Sequence, residues 1–242
     1  MKFLLALMVT GTVSAAAAEP LSVDARIAAA ASTVREMRRD RSVPGEWWNR
    51  AQCVLVIPAL QKRAFIVGGE YGEGLMSCRA TPGPGGGREW SPPVFMEIGR
   101  GSMGLQIGAQ TIDLILLVMN AAGKDKVLGN QVSLGAEVSV AAGPVGRDAQ
   151  AATDAELTAE ILSYSRAQGL FAGINVSGGI IRAADRDNET LYDARVSPRD
   201  VVTGAWKPPA ATMPFLLALT TGASTPAFIG SDKSRPSAPK TR

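Results

Sequence analysis

The 242-residue chain contains no histidine and only two cysteines. Without histidine there is no Ser-His-Asp arrangement, no imidazole general base and none of the usual zinc sites. Two cysteines alone make a poor metal site, and if bridged they offer no nucleophile. No metal or cofactor is expected on these grounds. Long apolar runs are lacking as well. A membrane-spanning helix needs roughly 20 consecutive apolar residues, and the opening stretch from Phe3 to Val9 is far shorter. Neither charge sign dominates, with 25 Lys and Arg against 22 Asp and Glu, and no internal repeat is evident. The basic excess sits at one end: Lys207, Lys233, Arg235, Lys240 and Arg242 face only Asp232, which leaves the body slightly acidic. That distribution argues against a broad nucleic-acid-binding face.

Residues 1–18 read as a cleavable secretory signal. Lys2 supplies the positive start, Phe3 to Val9 the apolar stretch, and Ala16-Ala17-Ala18 a small-residue cleavage site. No cysteine lies near that site, so a lipid-modified N-terminus has no attachment point, and a periplasmic or secreted product is expected. In an oxidising compartment an even count permits a Cys53–Cys78 disulfide. Two buried thiols packed as small hydrophobes are the competing reading.

Residues 21–41 read as a helix, because Val23, Ile27, Ala30, Val34 and Met37 fall on one face. Ser22 followed by Ala25 gives half a capping box, and Pro44-Gly45 stops the run. That helix either packs on the core or lies on a membrane surface. Strands are expected at Cys53–Ile57, ended by Pro58, and at Ala64–Gly69 and Gly74–Arg79, the last two a hairpin about a corner at residues 70–73. Further strands are expected at Val94–Ile98, Met103–Ala109, Leu134–Ala141, Glu160–Ser165 and Leu170–Ile181, with a buried apolar run at Leu114–Met119. Short helices are expected at Ala121–Leu128, Asp187–Asp193 and Pro198–Val202. Many consecutive strands predict an α+β fold: a predominantly antiparallel, strongly curved or barrel-like sheet with the helices packed against it. From 207 to 242 the composition turns to Pro, Ser, Thr and Ala, which predicts a mostly disordered basic tail.

Several segments carry a family likeness. They are GGEYGEG at 68–74, WSPP at 90–93, IGAQ at 107–110, AAGPVGR at 141–147 and SYSRAQGLFAG at 163–173. In this order they resemble the SYLF-domain family, whose members bind lipids, phosphoinositides especially, and in fungi and animals also touch actin. The resemblance implies a lipid-binding domain over residues 19–206. It further implies non-catalytic binding of phospholipid or another amphiphile in a bacterial cell envelope, with peripheral membrane contact. Actin is discounted as a partner in that compartment. A curved sheet could hold acyl carbon in an apolar groove, with phosphate read at the rim by Lys62, Arg63, Arg147 and Arg166. Each of these cations also has a structural or solvated reading, Arg147 as a lock on Asp148 or Asp154.

Two other classes remain in play. A structural or protein-interaction module would use Trp47, Trp48 and Trp90, since large aromatics concentrate at interfaces; the same rings could instead seal the core. An enzyme would need carboxylates, for example Glu70 with Glu73 or Glu97. Asp185 and Asp187, beside Arg186, read as solvated loop charge. Gly99, Gly101 and Gly104 match a dinucleotide-binding pattern, but the strand-like run after them lacks the helix that pattern requires.

Overall fold

The computed structural model describes residues 21–41, 43–64, 67–80, 89–103, 108–145, 154–167 and 169–220. Residues 1–18, read above as a leader, and residues 221–242 lie outside them.

Helix α1 spans Val23–Arg39. The Ser22 side chain accepts from the Ala25 backbone amide at 3.2 Å, satisfying one of the free first-turn donors. A short helix α2 (Gly45–Arg50) follows. Nine strands then form one sheet, in the order β5-β9-β3-β2-β1-β4-β7-β6, with β8 also on β7. They are β1 (Cys53–Ala64), β2 (Val67–Cys78), β3 (Val94–Met103), β4 (Gly108–Val118), β5 (Gln131–Ser133), β6 (Val140–Ala142), β7 (Ile161–Ala167), β8 (Leu170–Gly173) and β9 (Gly179–Ala183). Every pairing is antiparallel except β6 with β7. Helices α3 (Ala121–Val127), α4 (Asp154–Thr158), α5 (Asp185–Tyr192), α6 (Pro198–Asp200) and α7 (Met213–Thr220) complete the described fold. It is α+β, with the sheet curled into a half-barrel.

Both faces of the sheet are buried, which explains why the central strands read as unbroken apolar runs. On β1 the side chains alternate. Val54 and Val56 face α1, α7 and the α2 tryptophans. Cys53, Leu55 and Ile57 face the opposite core, closed by Val127 and Leu128 at the end of α3 and by Val201 and Val202 after α6. Helix α1 buries Ile27, Ala30, Ala31, Val34 and Met37. It therefore docks on the core, and its alanines permit close approach.

Several element boundaries differ from the sequence reading, each for a physical reason. Pro58 does not end β1. The strand continues through an irregularity between Ile57 and Leu60, where Ala59 adopts φ 54° and its amide donates to Asp113 Oδ1 at 3.0 Å. A proline inside a central strand is tolerated at such a bulge, because no ladder hydrogen bond is asked of it. The expected corner at 70–73 is the middle of β2, which pairs antiparallel with β3 without a break from Val67 to Met76. Gly74 is needed there for close approach, since a Cβ would meet the Val56 backbone. Residues 210–220 are folded, not tail. Phe215, Ala218 and Leu219 of α7 are buried in the same core as α1, so the domain runs past 206.

Cys53 and Cys78 sit directly opposite each other on β1 and β2 and are joined as a disulfide. Arg79 donates to the Gln52 carbonyl one position along. The cysteines thus form a non-hydrogen-bonded pair, the kind that brings side chains closest.

Candidate functional site

Of the cations proposed as phosphate readers, Lys62 and Arg166 are engaged with carboxylates of the chain itself. Lys62 lies 3.2 Å from Glu70, which also takes a 2.8 Å bond from Arg100, so the two cations share one carboxylate across three strands. Arg166 pairs with Glu36 of α1, lies 3.5 Å from Asp113, and covers the Phe171 ring at 5.6 Å. It fastens α1 to β7. Arg63 occupies β1 opposite Gly69, and its side chain lies outside the description, as does all of Arg147. Among the described residues, the cavity beside Leu60, Ile98, Leu114 and Val176 measures about 10 Å³, room for at most one water.

The carboxylates considered for catalysis are engaged too. Glu70 is paired as above, Glu73 and Asp187 share Arg26, and Glu97 pairs with Arg182. Asp187 belongs to α5 and not to a solvated loop, and Arg26 is buried. Tyr71 stands half exposed on β2, its Oη 2.6 Å from Glu73 and 2.8 Å from Glu97. Burial and the hydrogen bond to Glu97 push its pKa up to about 12. With Ile180 it flanks a depression of about 300 Å³ floored by Gly99 and Gly101. Those two glycines lie in β3, where the dinucleotide pattern would have required a turn into a helix.

The densest unmatched chemistry lies at the end of α1. Here three arginines stack on three tryptophans. Arg38 lies over Trp48 at 4.7 Å, Arg50 over Trp47 at 4.8 Å, and Arg79 over Trp90 at 4.4 Å. Trp48 and Trp90 also touch, with ring centroids 6.3 Å apart. Trp47 and Trp48 are 3% and 4% exposed, so the rings seal the core while the guanidinium groups lie across them. Arg79 is held by the Ala51 and Trp48 carbonyls at 3.1 and 3.3 Å. Arg38 donates to the Leu219 carbonyl of α7 at 3.1 Å. Beside it opens a cavity of about 520 Å³, bounded by Met37, Arg38, Arg41, Val43, Pro44 and Trp48. Burial, and then the Arg79 charge, hold the Arg38 pKa below its ordinary value. Among the described residues no carboxylate lies within ion-pair distance of Arg38.

Sequence reasoning named the tryptophans but missed the arginines. The available signal was the basic run Arg38, Arg39, Arg41 at a helix end, a few residues before Trp47-Trp48. A basic helix terminus is common enough, as a partner for the helix dipole, to be passed over.

Guanidinium donors laid over core-packed rings and an open cavity beside them, mounted on a half-barrel, are the features of a binding module. The profile of the family described as Ysc84, Las17-binding protein actin regulator, matches residues 99–222. The chain belongs to this family, the SYLF-domain family of the motif resemblance. It is 32% identical over 165 residues to the SH3 domain-containing protein PJ696.02 of Schizosaccharomyces pombe, covering 66% of this chain and 37% of that protein. It is 29% identical to LAS seventeen-binding protein 3 of Saccharomyces cerevisiae (74% and 39% covered). It is 25% identical to the human SH3 domain-containing YSC84-like protein 1 (71% and 48% covered). The chain thus spans less than half the length of these relatives. Their names correct one expectation. Family and yeast relative are named for a protein, Las17, and for actin regulation, so the partner class indicated is protein and not phospholipid. The discounting of actin loses its support with it. Among the described residues no helix is long and apolar enough to cross a membrane.

Proposed function

We propose that this chain is a non-catalytic protein-binding module whose docking face is the arginine–tryptophan end of the half-barrel. The observation that carries the reading is the set of three arginine–tryptophan stacks at one end. Tryptophan and arginine dominate the energetics of protein interfaces because they combine large contact area with directed donors. Here the rings are fixed by core packing, so little side-chain entropy remains to be lost on docking. The family's names supply the precedent for a protein partner.

The test is affinity purification of the full chain from its own cells, alongside an Arg41→Glu/Arg50→Glu variant. Both arginines are exposed, so the fold should survive. A specific partner should be recovered in stoichiometric amount and lost with the charge-reversed variant. Equal recovery by both proteins, or no stoichiometric partner, refutes the assignment. Filamentous actin belongs in the same experiment as a co-sedimentation arm. We also propose that residues 1–18 direct export, which cell fractionation tests separately.

A further inference from the structure

We infer that the cavity beside Arg38 and Arg41 receives an acidic peptide segment, a carboxylate flanked by an apolar side chain. The inference rests on the protein-binding reading and specifies its ligand. Charge matching comes first. Arg26 has Glu73 and Asp187, Lys62 and Arg100 share Glu70, and Arg166 has Glu36 and Asp113. Arg38 has a backbone carbonyl and a tryptophan ring instead. A partly desolvated cation beside a second cation is a cost in the free protein, and an arriving carboxylate relieves it. Arginine suits that anion, because its planar fork can give two parallel hydrogen bonds.

The backbone supplies an independent indication. Asp40 caps α1, and Arg41 follows it in the left-handed region at φ 51°. Glycine is the residue that fits this position without strain. An arginine there has the charge that suits a helix C-terminus but not the backbone freedom, and its side chain lines the cavity. Local strain retained at a cavity rim is what a binding role would maintain. Shape and polarity set the rest. The volume of about 520 Å³ falls among ligand pockets, and Met37, Val43, Pro44 and Trp48 provide apolar wall. A bare anion would leave that wall unused, whereas a peptide uses both parts.

The experiment titrates the ¹⁵N-labelled full chain with an acetylated, amidated peptide alternating Glu and Leu. Controls are the same peptide with Gln for Glu, and inorganic phosphate alone. The readout is the Trp48 indole resonance, assigned with Trp48→Phe. The Glu peptide should shift it with affinity roughly tenfold or more above the Gln peptide, as expected for a charge-assisted hydrogen bond. Arg41→Gly should weaken the Glu peptide several-fold while thermal stability holds or rises, a combination that general damage does not produce. Arg38→Gln should erase the Glu-over-Gln preference; if it fails to fold, Arg41→Gly decides. Equal affinities, a Trp48 resonance that does not respond, unchanged binding by Arg41→Gly, or phosphate matching the peptide each overturns the inference. Shifts confined to Tyr71 and Ile180 would do so too, by moving the site to the other depression. If cells yield a partner sensitive to Arg41→Glu/Arg50→Glu while Trp48 ignores the Glu peptide, the ligand class fails and the module reading stands. Peptide binding with no cellular partner reverses that result.

Discussion

Replacing Phe215 by alanine should cost as much as a mutation in the middle of the sheet, although the residue lies beyond a Pro-Pro pair near the chain's end. Its side chain is fully buried in the core formed with Ile27, Val34 and Phe95. Truncating such a ring removes its transfer free energy and leaves a cavity, which together cost about 3–5 kcal/mol. For a domain of this size each kcal/mol lowers the melting temperature by about 2–4 °C, so a fall on the order of 10 °C is expected. Met213, 42% exposed on the same helix, is the control, and Met213→Ala should stay within about 0.5 kcal/mol of wild type. Urea unfolding followed by circular dichroism measures both, and the midpoint should move without a change in slope. Should the two variants prove equally stable, α7 is not docked and the domain ends near residue 206 after all.

Three further outcomes are expected. The disulfide closes a loop of 25 residues, so Cys53→Ser/Cys78→Ser should lose about 3.5 kcal/mol by the chain-entropy relation; intact-mass measurement with and without reductant must also show a two-proton difference. A methyl at Gly143 would be built into the Tyr164 ring. Gly143→Ala should therefore destabilise by about 1–3 kcal/mol, and Tyr164→Leu should restore part of the loss if the clash is the cause. Glu160 gives a pH signature. Burial would raise its pKa, but hydrogen bonds from Lys126 and Ser139 outweigh that and hold it below the ordinary value. A carboxyl depressed in the folded state contributes stability above its unfolded pKa of about 4.3, lost as pH falls through the folded value. Glu160→Gln should accordingly be less stable than wild type at pH 7, with a gap that closes in acid; a gap independent of pH contradicts the assignment.

The sheet was legible because burial leaves its mark residue by residue. Cys53 to Ile57 and Leu114 to Val118 alternate between two apolar cores, and no other environment asks for such runs. What could not be read depends on partners distant in sequence. Pro58 looks like a strand end until Asp113, on the neighbouring strand, takes the Ala59 amide. The glycines from 68 to 74 look like a corner because glycine usually marks one, but Gly72 and Gly74 are required by the approach of β1. The α7 segment has only eight residues, too few to hold a helix alone, so composition gives a tail while docking on α1 gives structure.

The same dependence governs the site. Lys62 and Arg166 read from the sequence as candidate rim cations, yet in the fold they pair with Glu70, Glu36 and Asp113. A cation within such a segment of a tightly packed half-barrel is more often committed to a neighbour than free for a ligand. With both faces of the sheet consumed by packing, adaptable surface is left at the ends, where helices stop and large rings close the core. Arg38 lies at such an end, outside every one of the five segments, and that no carboxylate among the described residues pairs with it emerges only when the chain is folded around it. In this architecture a cation paired only with a carbonyl and a ring is a better candidate for a ligand than a cation already paired with a carboxylate.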